Sequence, residues 1–210
     1  MEGVSKLIES GRDREAAQQG ALGVLHPDGG TMEPLDQLGQ LGPVLGAVVG
    51  GIGPDDLDRP TPCANFTVRG VLEHMIGGAT AFAAAYRRTE AATPDVSQPL
   101  EGFGPALGDL VAAMQAPGAL DGTVAAPFGE VPGEMFARFV VLDGLVHGWD
   151  MATATGQSYD PPAALVAAVD AFAHEVLDPL RDGETFAAAV EPGPDATPME
   201  RLAAYTGRRS

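Results

Sequence analysis

The sequence predicts an all-α protein, a four-helix bundle with additional short C-terminal helices. Apolar residues recur at helical spacing through most of the chain from residue 32 onward. Thr or Pro opens several of these runs and glycine closes several of them. Four of the runs are long, and no internal repeat points to a solenoid.

Residues 1–31 read differently from the rest. They hold the single lysine, Lys6, and end in "HPDGGT" around Met32. Two readings stand side by side: an upstream extension before a native start at Met32, or an N-terminal helix over about residues 3–18 docked on the body. The body is residues 32–210. Its first helix fits 33–50, with Pro43 as a kink. The second is capped by Thr67 and runs through 68–88, where Val68, Leu72, Met75, Ala79, Phe82 and Tyr86 make one apolar stripe. A Pro-containing loop at 91–102 leads to a third helix over 103–116. Residues 117–132, rich in Gly and Pro, read as a long connection. The fourth helix runs from near Pro132 to the stop at Gly156, and the fifth from Pro162 to before Pro179. "ETFAAAVEP", residues 184–192, reads as a short extended piece. Thr197, Pro198 and Glu200 spell a capping box for a last helix that stops at Gly207.

Twelve basic against twenty-nine acidic residues give a net charge of −17, which repels a phosphate backbone and anionic lipid. Nucleic acid and membrane surfaces are therefore not expected partners. No apolar run approaches the ~20 residues of a bilayer span, and the opening residues lack a signal-peptide pattern, so a cytoplasmic protein is expected. Cys63 is the only cysteine, which excludes an intramolecular disulfide and a cysteine-cluster zinc site. A metal would then draw on His, Asp or Glu, and the histidines are His26, His74, His147 and His174. A single lysine and a single asparagine, Asn65, beside abundant Ala, Gly, Pro and Arg follow GC-rich codons, as in a GC-rich bacterial genome.

"VLDGLVHGWD", residues 141–150, places two acids and a histidine in an apolar helix. Phe136, Phe139, Val140, Asp143, His147 and Asp150 share one stripe, while Leu142, Leu145, Val146 and Trp149 make the other faces apolar. Polar groups on the inward stripe of a buried helix need partners. An acid and a histidine at i, i+4 are neighbours able to hold one ion, and equally able to pair with each other in the core. His74 is the candidate third donor: it lies on the shoulder of the second helix's stripe, where it either faces a neighbouring helix or points to solvent. Asp170 and His174 repeat the spacing beside their own apolar stripe and are expected on the solvated surface. Cys63, in "RPTPCANF", is expected as a buried structural thiol, with a nucleophile as the alternative.

"RPTPCANFTVRGVLEHMIGG", then "LVHGWDMATATGQ", then "DATPMERLAAYTGRR" resemble, in order and spacing, the DinB-like metal-binding family related to mycothiol-dependent maleylpyruvate isomerase, over about Met32 to Arg209. The resemblance implies a DinB-like four-helix bundle with a divalent metal, zinc first and nickel second, held by His74, Asp143 and His147. It places Asp150 behind the ligand helix, orienting an imidazole. Two positions depart from the pattern: Phe66 stands where tryptophan is usual, and Gly70 replaces the acid of the second helix's capping box. The isomerase also carries a further C-terminal domain that contributes to its active site, which this chain does not match past the bundle. What the resemblance implies first is a thiol S-transferase, with mycothiol as co-substrate and a small electrophile as the other partner. A non-catalytic metal- or ligand-binding bundle, a maleylpyruvate isomerase-like cis–trans isomerase, and a structural protein acting through homodimer contacts are the alternatives.

Overall fold

The computed structural model of the chain describes residues 32–64, 66–126, 129–181 and 187–209. The expectations for residues 1–31, including a helix over 3–18 and the place of His26, lie outside them. Helices α1 (Pro34–Gly50), α2 (Val68–Arg87), α3 (Pro99–Met114) and α4 (Gly133–Thr155) form the bundle, and α5 (Ala163–Val176) and α6 (Pro198–Tyr205) follow. Two single 3-10 turns, Pro54–Asp56 and Asp178–Leu180, sit after α1 and α5. The fold is all-α, as expected, with one small hairpin inserted.

The end signals in the sequence match the observed ends. Thr67 Oγ1 accepts the Gly70 N–H at 3.2 Å. Thr197 and Glu200 close a reciprocal box, with Thr197 N donating to Glu200 Oε2 at 2.7 Å and Glu200 N to Thr197 Oγ1 at 3.3 Å. Gly156, at φ 70°, ends α4 in the left-handed region that glycine enters without strain. Helix α1 is continuous through Pro43.

Three expectations need correction. Helix α3 starts at Pro99 rather than at 103, because Pro99 occupies a first-turn position where its missing N–H costs nothing and the Gln98 carbonyl accepts from Glu101 N and Gly102 N. The connection 117–132 contains an antiparallel hairpin, β1 (Thr123–Ala126) and β2 (Gly129–Pro132), with Val124 opposite Val131. Val124 is buried against the bundle, which gives this short ribbon its support. The described part of 184–192, residues 187–192, holds no strand; Val190 N donates instead to the Ala204 carbonyl near the end of α6.

Helix α2 packs along α3, and α1 along α4; α4 also touches α2, α5, α6 and the hairpin. Fifteen of the 23 residues of α4 are buried, so it is the helix the others surround. Two glycines set its approach to α1. A Cβ at Gly144 would stand 3.0 Å from Leu41 Cδ2, and one at Gly148 would stand 2.5 Å from the Tyr159 hydroxyl and 2.8 Å from Leu45 Cδ2. The Tyr159 hydroxyl is itself held, donating to the Leu145 carbonyl at 2.8 Å. Gly148→Ala is therefore expected to destabilise by about 1–3 kcal/mol, overpacking outweighing the ~1 kcal/mol that alanine gains in helix propensity. Denaturant unfolding checks it; a variant as stable as the parent would show that Tyr159 yields freely. Gln157, just past α4, donates from Nε2 to the Val48 carbonyl at 3.0 Å and so ties the end of α4 to the end of α1. Among the described residues no helix is long and apolar enough to cross a membrane.

Candidate metal centre

The segment before α2 is folded tightly by its own polar groups. Thr61 Oγ1 donates to the Phe66 carbonyl at 2.8 Å, Phe66 N donates to the Cys63 carbonyl at 2.9 Å, and Pro60 bridges to Thr67. That loop sets Phe66 over the first turn of α2 and against the two imidazoles: its ring centroid lies 5.4 Å from that of His74 and 6.0 Å from that of His147. A Cβ at Gly70 would stand 3.0 Å from Phe66 Cδ1, so the two departures from the family pattern are coupled: the small residue makes room for the ring.

His74 projects from α2 toward α4, where the helical spacing of Asp143 and His147 puts both on the facing side. His74 Nε2 lies 3.4 Å from Asp143 Oδ1, His147 Nε2 lies 3.5 Å from the same oxygen, and one donor atom from each of the three residues falls within 4.8 Å of the others. The imidazole centroids are 5.0 Å apart. A tetrahedral ion with bonds of about 2.0–2.1 Å separates its donors by roughly 3.3 Å, which is close to these two spacings. They lie just beyond the usual range of about 2.7–3.2 Å for N–H···O bonds, so the His74–Asp143 hydrogen bond is a long one. The donor set thus fits a divalent cation. The side chains of His74 and Asp143 are 40% and 42% exposed while that of His147 is 6% exposed, which leaves one side of the cluster open to solvent.

His147 is oriented from behind. Its Nδ1 meets Asp150 Oδ2 at 3.0 Å, which turns Nε2 toward Asp143 and His74. Asp150 is fully buried, and the same oxygen accepts from Arg208 Nε at 3.3 Å and Nη2 at 3.2 Å. Among the described residues its Oδ1 has no hydrogen-bond partner. Arg208 is the component that reasoning from sequence missed: it lies in the quoted "YTGRR", and a buried aspartate on α4 was a reason to look for a cation.

Cys63 also departs from expectation. It is half-buried rather than buried, and its sulfur comes within 4.8 Å of donor atoms of His147 and Asp150, an alternative set of three. The Arg208 guanidinium on Asp150 and the pairing of Asp150 with His147 Nδ1 oppose a cation there, which favours the set containing His74 and Asp143. Asp170 and His174 lie on the surface as expected, their side chains 41% and 54% exposed, with the His174 ring stacked on Tyr205 at 3.8 Å.

The hydrogen bond to Asp143 lifts the His74 pKa above its ordinary value, against the opposing effects of burial and of Arg208. For Asp143 burial acts upward, but the charges of His147, His74 and Arg208 and the His74 hydrogen bond outweigh it and hold the carboxyl below its usual range. The sign for metal uptake follows. A proton on His74 competes with a cation, so affinity is expected to fall about tenfold per pH unit below the raised His74 pKa, beginning above pH 6.5. The ion-free His74–Asp143 pair has the opposite dependence, its contribution fading as pH rises through the His74 pKa and as it falls through the Asp143 pKa. Thermal melts across pH, with and without zinc, check both signs; a zinc-induced rise in Tm that shrinks as pH increases would contradict them.

An all-α bundle with a His–Asp–His cluster between its second and fourth helices is the class of protein this fold and site define. The family described as the mycothiol maleylpyruvate isomerase N-terminal domain matches residues 38–152. The chain belongs to that DinB-like family. It is also similar to two uncharacterized proteins from two strains of Mycobacterium tuberculosis, each 32% identical over 191 residues that cover 84% of this chain and 98% of the relative. No solved structure matches the chain.

Proposed function

We propose that this chain is a divalent-metal-dependent thiol S-transferase, with His74, Asp143 and His147 as the ligands, mycothiol as the thiol and a small electrophile as the acceptor. The observation that carries the reading is the trio of donor atoms within 4.8 Å of one another, both histidines 3.4–3.5 Å from Asp143 and one side open, in a chain whose family is named for a mycothiol enzyme. Zinc, with nickel second, suits two imidazoles and one carboxylate, and when bound it supplies Lewis acidity that lowers the pKa of a thiol at the open side. Two neutral imidazoles and one carboxylate leave one positive charge, which a thiolate neutralises. Asp150 and Arg208 hold the His147 ring in place, and Phe66 walls the cluster beside both imidazoles. The sulfur forms a bond to the electrophilic carbon, the leaving group departs with its bonding pair, and the thiol proton passes to solvent. The reaction belongs in the cytoplasm, where such thiols are kept reduced.

The family's name favours a second reading, a cis–trans isomerase. It shares the first bond: the thiol adds to a carbon–carbon double bond, the resulting single bond rotates, and the thiol leaves.

Monobromobimane separates transfer from mere binding, because its bromide leaves as the fluorescent S-conjugate forms. Zinc-loaded protein with mycothiol is expected to raise the conjugation rate at least tenfold over the metal-free protein, with the gain lost in His74→Ala. Equal rates with and without metal would contradict transfer and leave a metal-binding bundle without turnover.

A further inference from the structure

Along one side of α6 lies a cleft of about 770 Å³, within the ~300–1,000 Å³ usual for small-molecule sites. Its other wall is the segment 190–196. We infer that this cleft holds the sugar and polyol part of the thiol co-substrate while the sulfur lies at the open side of the metal cluster. The inference rests on the transfer reading of that cluster and adds where the non-reacting part of the thiol binds.

Three observations support it. First, the outer wall is tied down at both ends: Val190 N donates to the Ala204 carbonyl at 2.9 Å, Arg201 Nε donates to the Ala196 carbonyl at 3.0 Å, and Pro192 and Pro194 stiffen the stretch between. Second, the lining suits a polyhydroxylated molecule. Of its five charged residues, Glu200 is occupied by Thr197 and Arg208 by Asp150, which leaves Glu191, Asp195 and Arg209, all exposed, to meet a ligand. Each hydroxyl of a sugar both donates and accepts, so one molecule serves two carboxylates and a guanidinium at once. Third, the cleft adjoins the metal cluster through Arg208. That residue lines the cleft, its guanidinium donates to Asp150 Oδ2, and the same oxygen meets His147 Nδ1, so two hydrogen bonds separate the cleft's arginine from a ligand imidazole. The sulfur and the sugar–inositol unit of mycothiol are a cysteinyl amide apart, a separation of the same order.

Nitrogen-15 spectra of the labelled full-length protein report on the cleft through the Glu191, Gly193 and Ala196 amides. Titration with N-acetylglucosaminyl-inositol, the part of mycothiol that lacks the cysteine, is expected to shift these amides saturably, with and without zinc. Asp195→Ala and Arg209→Ala are each expected to weaken that binding about tenfold, the size of one hydrogen bond to a charged group. Both residues are exposed, so zinc content and the melting curve are expected to stay at parent values. In bimane conjugation the same variants are expected to raise the KM for mycothiol about tenfold relative to that for N-acetylcysteine, which carries no polyol. The kcat for mycothiol is expected to hold, because a non-reacting part of a substrate contributes uniform binding. No saturable shift up to the solubility of the probe, or parent-like binding in both variants, overturns the inference. The two readings fail separately. Zinc uptake and conjugation with no shift in the cleft sink the cleft assignment alone. A shift in the cleft without zinc uptake or conjugation supports the polyol site and sinks the transfer reading.

Discussion

His74→Ala is expected to weaken divalent-metal binding by more than about 100-fold while leaving the fold intact. The loss exceeds the ~10–100-fold that follows removal of a group merely supporting a ligand, because a donor itself is gone and two remain. The fold survives because His74 is the more exposed of the two histidines: its side chain is 40% exposed against 6% for His147, and it meets Asp143 and the neighbouring rings rather than the core. Competition with a chromogenic chelator gives the affinity, and a melt of the metal-free variant gives the stability. His147→Ala is the less informative change, since it also strips a partner from buried Asp150. An unaltered zinc affinity in His74→Ala would remove α2 from the site.

Arg208→Ala is expected to cost about 3–5 kcal/mol of folding stability, the range for stranding a buried charge by removing its partner. Asp150 is wholly buried, and the Arg208 guanidinium, 14% exposed, is the full positive charge on it. The consequence extends to the site, because Asp150 Oδ2 also orients His147. Adding Asp150→Asn to the alanine variant removes the stranded charge and is expected to recover most of the stability but not the metal affinity. Urea unfolding of the two single variants and the double variant reads the coupling directly. A single variant within about 0.5 kcal/mol of the parent, the usual range for surface changes, would show that the ion pair contributes nothing.

Much of this architecture is legible in the chain because it is local. Apolar spacing marks α1, α2, α4 and α5, and Thr67, Gly156 and the Thr197–Glu200 box mark the start of α2, the end of α4 and the start of α6. The i, i+4 spacing of Asp143 and His147 makes them neighbours wherever the helix packs. What escaped depends on contacts distant in sequence or on elements too short for a pattern. Periodicity left His74 between facing a helix and facing water, and only the packing of α2 against α4 decides it. Asp143 was expected on an inward stripe, yet its side chain is 42% exposed. Arg208 reaches Asp150 across 58 residues of sequence. Four-residue strands in a Gly- and Pro-rich connection carry too few alternations to be told from a loop. A helix opened by Pro99 and containing Gly102, Gly104 and Pro105 hides its first turn among loop-like residues.

The central claim is that His74, Asp143 and His147 hold one divalent ion. Plasma mass spectrometry of tag-free protein, purified without chelator or nickel resin, tests it most directly when run beside His74→Ala. The account predicts about one zinc or nickel ion per parent chain and a small fraction of that in the variant. A parent that carries no metal, and takes up neither zinc nor nickel when offered, would contradict it and leave the three residues as a paired polar cluster at the edge of the bundle core.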